Sequence, residues 1–216
     1  MPGGISDPMT RVGYTNKKWG VCGFTSTLYA MYDLNPASRP LVINASQAFR
    51  VLAEIKTYLV MLQADGSPLL KEIRDFTRTF GPPYDTFEVE DYIQHIREAA
   101  ADGLSRTQVL GDPLFSIALP PKAVADYVQR VWGWKATVSE HAVGSGGGDG
   151  VIGVSSSATD DNGLPKPYHG LEHYMYRHGG KIYSWGQSFN SVQDAADEGA
   201  GGVAWRVCHV IGVSKA

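Results

Sequence analysis

The sequence predicts an α+β fold in which a helical block precedes an antiparallel β-sheet. Apolar residues recur at helical spacing in the middle of the chain, most clearly at Phe49, Leu52, Ile55, Leu59 and Leu62. Further along, two β-prone runs flank Gly179-Gly180, which predicts a tight hairpin. At 216 residues the chain has the length of a single domain (1–216), divided into an irregular lead-in (1–20), a mostly helical half (21–132) and a sheet half (133–216).

Proline, glycine and capping residues bound the predicted helices. The predicted ranges are 22–32, 46–66 with Ser46 as the cap, 68–79, 86–101 and a shorter helix from residue 120. Asn35-Pro36 stops the first helix because the residue before a proline disfavours helical backbone. Asp85 and Glu88 have the spacing of a capping box, which predicts that the fourth helix begins beside them.

The last third of the chain has β character. The predicted strands are 134–143, 151–155, 171–178, 181–185 and 203–213. A glycine-rich stretch at 145–150 lacks the spacing and the basic residue of a phosphate-binding loop, so we interpret it as a linker.

Composition excludes several classes of protein. The formal net charge is −3 with both signs mixed, which argues against a nucleic-acid-binding surface. No apolar run approaches the roughly 20 residues of a membrane-spanning helix. The first residues lack the basic start and apolar stretch of a secretory signal. We therefore expect synthesis in the cytoplasm with reduced thiols, and any export would use a signal-independent secretion system.

Cys22 is the leading candidate for a chemically active residue. It lies where a glycine-containing turn enters an apolar, helix-compatible segment, and a helix N-terminus favours the thiolate and can hold an oxyanion. The alternative is a buried structural cysteine, since free cysteines are often buried. Cys208 lies in the terminal strand beside His209, and we interpret it as a core thiol.

Two segments resemble papain-like cysteine hydrolases. The first, CGFTSTLYAMY from Cys22, is similar to the nucleophile motif of the bacteriocin-processing (double-glycine) peptidases. The second, EHYMYRHGGKIYSWG from Glu172, resembles the histidine strand of papain and its Ser-Trp-Gly. The order of parts also agrees, with the cysteine helix first, then a helical block, then a sheet that carries the histidine.

The resemblance implies a papain-like fold and assigns roles to particular residues. Cys22 would attack an amide carbonyl, and His173 would take and return the proton. Asn16 holds the place of the glutamine that supplies an oxyanion donor in this group. Trp19, Gly23 and Trp185 would border the substrate cleft. No cofactor or metal is implied.

The residue that orients the histidine remains open. Tyr183 stands where papain has an asparagine. Hairpin geometry places His173 across from Gly186, which makes Gln187 the nearest polar side chain and the preferred third member of a Cys–His–Gln set like that of some papain-like effectors. The other pairing, His169 with Asn190, provides alternates.

His169, Glu172 and His173 also match the H-x-x-E-H signature of inverted zinc peptidases. That motif requires a helix, on which both histidines share one face. Gly170 and the prolines at 165 and 167 disfavour a helix here, so zinc chemistry is the weaker hypothesis.

The predicted function is therefore a cysteine peptidase or peptidoglycan amidase acting on a peptide, protein or peptidoglycan. Family habit associates such a chain with a secreted bacterial effector or toxin, whose partners would be an immunity protein or a secretion-system carrier. Two alternatives remain, a glutamine deamidase and a catalytically silent papain-like domain that binds a partner.

Overall fold

The computed structural model describes residues 7–35 and 47–216. Its first half is helical and consists of α1 (Asp7–Lys18), α2 (Cys22–Leu34), α3 (Gln47–Ala64), α4 (Leu69–Arg78), α5 (Val89–Ala101), α6 (Arg106–Leu110) and α7 (Pro121–Trp132). Its second half contains β1 (Lys135–Glu140), β2 (Gly150–Ser155), β3 (His173–His178), β4 (Lys181–Ser184), β5 (Gln187–Phe189), α8 (Val192–Gly199) and β6 (Arg206–Ser214). The predicted α+β class is confirmed.

The strands form one sheet in the order β1-β6-β2-β3-β4-β5, and every neighbouring pair is antiparallel. The predicted hairpin is confirmed, since Tyr176 pairs with Tyr183 and His178 with Lys181 around Gly179-Gly180. The paired ladder ends at Tyr176 and Tyr183, and Gly186 lies in the turn between β4 and β5, so the predicted pairing of His173 with Gly186 is not part of this ladder. The loop that joins β2 to β3 contains a short 3-10 helix at Pro167–Gly170.

Helix α2 is the centre of the helical half. Residues 23–32 are all buried, because the helix packs against β3 on one side and against α1, α3 and α7 on the others. Phe24 contributes to an aromatic cluster with Tyr58 and Tyr127, whose ring centroids lie 4.9 to 6.1 Å apart. This packing holds the N-terminus of α2, and with it Cys22, against the start of β3.

The opposite face of the sheet has its own small apolar cluster. Ile152, Met175 and Ile182 from the strands pack with Ala195 of α8 and with Trp205. Strand residues that alternate in sequence therefore lie in two different environments, which is the pattern expected of a sheet covered on both faces.

Two predictions about helix boundaries need correction, and a third concerns a residue outside the described ranges. Residues 7–18 form α1 rather than an irregular lead-in, because Val12, Thr15 and Asn16 provide one buried face that docks beside α2. The predicted capping box is wrong: α5 begins at Val89 after Glu88, whose carboxylate is bound by Arg78 instead. The predicted cap Ser46 lies outside the described residues.

Strand β5 and helix α8 were not predicted. Strand β5 has only three residues, too few for a pattern in the sequence to show. Helix α8 did leave a signal, since the Ser191 hydroxyl accepts a hydrogen bond from the Asp194 amide as a regular N-cap. No helix among the described residues is long and apolar enough to cross a membrane.

Gly13 fixes α1 against the turn that follows β4. A Cβ atom at this position would lie 1.8 Å from the Gly186 nitrogen and 2.0 Å from the Tyr29 hydroxyl oxygen. That hydroxyl accepts a hydrogen bond of 2.8 Å from the Gly186 amide. The close approach also positions Asn16, which lies one helical turn beyond Gly13.

Gly13→Ala should destabilise the protein by about 3 kcal/mol, because the added methyl group would separate α1 from this turn. Gly147→Ala is the matched control, since nothing lies within 4 Å of its Cβ position. Urea unfolding of the three proteins measures the difference. Equal midpoints for Gly13→Ala and Gly147→Ala would show that α1 does not pack as described.

Candidate active site

One cleft of about 370 Å³ contains five of the ten predicted site residues. Asn16 comes from α1, Cys22 from the start of α2 and His173 from the start of β3. Trp19 and Trp185 border the same cleft, as the sequence predicted. Two segments separated by about 150 residues of chain therefore meet at one surface opening.

Cys22 is partly exposed and is the first residue of α2. No side chain caps this helix, so its first amide groups remain available. The backbone N–H groups of Tyr174, Gly23 and Cys22 itself act on the sulfur and favour the thiolate. The Tyr174 amide matters most for geometry, because Tyr174 directly follows His173 and brings the cysteine beside the histidine strand.

Burial outweighs those amide groups in its effect on the thiol. Removal from water raises the pKa of Cys22 to about 11, above its ordinary value of 9.0. The helix N-terminus argument predicted a thiolate, whereas the structure favours a neutral thiol in the resting protein. A proton acceptor is therefore needed before the sulfur can act as a nucleophile.

The His173 imidazole is held on three sides. Its ring stacks on Trp185 at 4.7 Å and 14° and on Trp205 at 5.3 Å and 15°. Its Nε2 atom forms a hydrogen bond of 2.9 Å with the Ser184 hydroxyl. The two stacking contacts and this hydrogen bond fix the orientation of the ring.

Burial beside the two indole rings also lowers the pKa of His173, to about 3 from 6.5. The imidazole is therefore neutral at physiological pH and can accept a proton. An imidazolium formed transiently would face the π-systems of both tryptophans, which attract cations.

Glu172 holds one of these tryptophans in place. One carboxylate oxygen accepts a 2.7 Å hydrogen bond from the Trp205 indole N–H. The other accepts hydrogen bonds from the amide and the hydroxyl of Ser156. Glu172 also lines the cleft, so it links the loop after β2 to the ring that covers His173.

The remaining cleft residues have structural roles as well. Trp19 is buried, donates its indole N–H to the Val109 carbonyl at 3.1 Å and packs against Phe115. Gly23 was predicted to border the cleft but does not line it; it is buried against Leu119, whose side chain would lie 3.2 Å from an added Cβ. Asn16 is also buried, and burial restricts the movement of the side-chain amide that would bind an oxyanion.

The structure does not place Gln187 beside His173. The Gln187 side chain is exposed and donates to Glu198 at 3.4 Å, while Ser184, and not Gln187, forms the hydrogen bond to the imidazole. The alternates are displaced as well. Asn190 is exposed and accepts from Lys181, and Tyr183 stacks on Tyr176, on the other face of the hairpin from Ser184.

His169 also lies apart from the cysteine. It is in the 3-10 helix Pro167–Gly170 at a φ of 55°, and its ring lies 5.6 Å from that of His209. The H-x-x-E-H segment is therefore a turn followed by a strand, and its two histidines face different partners. The described residues contain no group of three or more His, Cys, Asp or Glu side chains that could hold a metal ion.

Ser184 and Trp205 are the site residues that sequence reasoning missed. Ser184 had a usable signal, because the hairpin register places it on the same face of the sheet as His173, in a diagonal pair. No pattern in the sequence indicates Trp205. It precedes β6, and it lies near His173 because β6 is separated from β3 by β2 alone in the sheet.

Cys208 is a buried core thiol, as predicted. Its sulfur nevertheless lies 3.2 Å from Nδ1 of His209, although adjacent strand residues were expected to face apart. Burial raises the pKa of Cys208 to about 12 and lowers that of His209 to about 4. Both side chains are fully buried, so this second pair has no surface for a substrate.

No family model matches the chain, and no curated protein or solved structure shows significant similarity to it. The geometry of the cleft is therefore the basis for a functional assignment.

Proposed function

We propose that the protein is a cysteine hydrolase that cleaves an amide bond at Cys22, with a papain-like arrangement of its helical and sheet halves. The observation that carries the proposal is the meeting of the α2 N-terminus and the β3 histidine in one cleft, with the Tyr174 amide at the Cys22 sulfur. Free helix N-terminal amides, a neutral imidazole and a thiol together provide a nucleophile, a base and oxyanion donors.

The proposed reaction begins from the neutral pair. Nδ1 of His173 accepts the thiol proton as the Cys22 sulfur attacks the amide carbonyl carbon, which forms a tetrahedral oxyanion. The Cys22 backbone N–H and the Asn16 side-chain amide stabilise this oxyanion. Collapse breaks the carbon–nitrogen bond, and His173 gives its proton to the leaving amine. Water, deprotonated by His173, then hydrolyses the thioester and restores the thiol.

Ser184 replaces Gln187 in this proposal as the residue that orients the imidazole. Its hydroxyl fixes Nε2, and the two tryptophans prevent rotation of the ring. A hydroxyl stabilises an imidazolium less than a carboxylate would. Ser184 therefore fixes the orientation of His173 but raises its basicity little. A secreted effector or toxin role, with an immunity protein or secretion carrier as partner, would suit such a chain.

The second candidate function is a catalytically silent domain that binds a partner through the same cleft. The raised pKa of Cys22 and the lowered pKa of His173 favour it, because together they oppose formation of a thiolate–imidazolium pair. The two functions differ in whether His173 removes the proton from the Cys22 thiol.

Alkylation of Cys22 separates the two candidates. In the resting protein we expect the rate with iodoacetamide to keep rising between pH 8 and 10, because burial raises the thiol pKa to about 11. If His173 is the base, His173→Phe should lower the rate at pH 7 by about 10-fold, since a positioned base contributes at least that much. Mass spectrometry assigns the modified residue, and buried Cys208 is the internal control.

Equal alkylation rates for the wild type and His173→Phe across this pH range would support the silent domain. Modification of Cys208 before Cys22 would contradict the burial of the second thiol.

A further inference from the structure

A second groove adjoins the candidate active site. Its volume is about 390 Å³, and it is lined mainly by α5 and by the segment that precedes it. Tyr84 lines both the cleft and this groove. Pro113 borders the cleft, and the next residue, Leu114, borders the groove. The cleft and the groove are therefore neighbouring openings that meet at Tyr84.

The junction between the two openings is apolar, and we call Phe80, Tyr84 and Leu114 the saddle. Five large hydrophobic side chains are exposed in the described part of the chain, and two of them, Phe80 (45%) and Leu114 (53%), belong to the saddle. Isolated exposed apolar residues are ordinary, but two at the junction of adjoining grooves, beside an aromatic ring, indicate a contact surface.

The far wall of the groove is acidic. Asp91 and Glu98 are exposed and two turns apart on one face of α5, and within the ranges 7–35 and 47–216 neither carboxylate has a Lys or Arg partner. Glu88, by contrast, is neutralised by Arg78 and Arg74. The Glu98 carboxylate accepts a hydrogen bond of 2.8 Å from Gln94, which is uncharged. The groove thus combines an apolar entrance with two carboxylates that no Lys or Arg side chain of the described residues neutralises.

We propose that the substrate is an extended polypeptide that crosses the saddle. One apolar side chain packs on Phe80, Tyr84 and Leu114, and a basic side chain further along pairs with Asp91 or with Glu98. The inference rests on the proposed function, since it places the amide to be cleaved at Cys22. A glutamine side chain, or a small isolated amide, would fill the cleft alone and leave the saddle and groove unused.

Peptide binding tests this proposal without requiring turnover. The probe is a positional-scanning library of capped hexapeptides, and the protein is the Cys22→Ala variant, measured by competition in fluorescence anisotropy. We expect selection of a large apolar residue at one position and of Lys or Arg at another. Asp91→Asn with Glu98→Gln should weaken binding of the selected basic peptides about 5-fold to 10-fold, as expected for exposed charge pairs.

Glu90→Gln is the matched control. It removes a carboxylate from the same helix, but Glu90 accepts from Gln63 and does not line the groove, so binding should not change. Leu114→Ser should reduce selection of the apolar residue and leave selection of the basic residue intact, which separates the saddle from the acidic wall.

Binding without any side-chain preference, or a preference unchanged in the Asp91 and Glu98 double variant, would overturn the proposal. Such a result would leave the hydrolase assignment intact if His173 still assists alkylation of Cys22. Loss of that assistance would remove the hydrolase assignment even when peptides bind, so the two failures are distinguishable.

Discussion

Cys22→Ala should abolish amide hydrolysis while leaving the fold intact. We expect a loss of at least about 10³-fold in kcat/KM, because removal of the nucleophile leaves only the oxyanion donors and substrate binding. The free energy of unfolding should change by about 1 kcal/mol or less, since Cys22 is only partly buried where it packs against the core and the substitution removes a single sulfur atom. Cleavage of a fluorogenic peptide library and of labelled peptidoglycan provides the measurement.

His173→Phe should cause a comparable loss. The substitution keeps an aromatic ring packed on Trp185 and Trp205 but removes both nitrogens, so it separates the chemistry of His173 from its packing. Ser184→Ala should have a smaller effect, about 10-fold in kcat, because it frees the ring without removing the base. Gln187→Ala is the matched control and should have none, since that side chain faces Glu198.

These variants also decide between thiol and metal chemistry. His169→Ala should leave most of the activity, and treatment with EDTA should not reduce it, because only His173 reaches the cleft. Inactivation by His169→Ala and by EDTA, with an active Cys22→Ala variant, would contradict the cysteine assignment.

The sequence predicts local features of this molecule better than distant ones. The Cys22 helix, the hairpin and its register follow from periodicity, proline breaks and the Gly-Gly turn, all of which act over a few residues. The partner of His173 depended on which side chains share one face of the hairpin. Alternate residues of β4 face the same side of the sheet, and this rule places Ser184 on the side of His173. Gln187 was predicted instead because it is the polar residue next to the position expected across from His173.

Tertiary packing explains the remaining differences. Helix α1 has polar and glycine residues that lower its helical propensity, and docking against α2 overrides that preference. Trp205 becomes part of the site only because β6 lies next to β2 in the sheet. The raised pKa of Cys22 depends on burial by residues from both halves of the chain, which no local pattern at the helix N-terminus reports.

Acidification should destabilise the protein well before its carboxylates are fully protonated. The pKa of His173 is about 3 in the folded protein, against an ordinary 6.5, and that of His209 is about 4, in both cases chiefly because burial disfavours the charged ring. Below pH 6.5 the unfolded chain therefore binds protons that the folded protein does not. Stability contributed by neutral His173 is complete above pH 6.5 and is lost as pH falls towards 3, at up to about 1.4 kcal/mol per pH unit.

Urea unfolding at intervals between pH 7 and 4 measures this slope. His173→Phe and His209→Phe should each reduce it, because neither variant can bind the proton, and His209→Phe also removes a buried Nε2 atom that lacks a hydrogen-bond partner. His178→Gln, at a side chain that is 49% exposed, is the control for loss of a histidine at the surface. An unchanged slope in both ring variants would show that water reaches these imidazoles. The packing of Trp185 and Trp205 on His173 would then be looser than the stacking distances of 4.7 and 5.3 Å indicate.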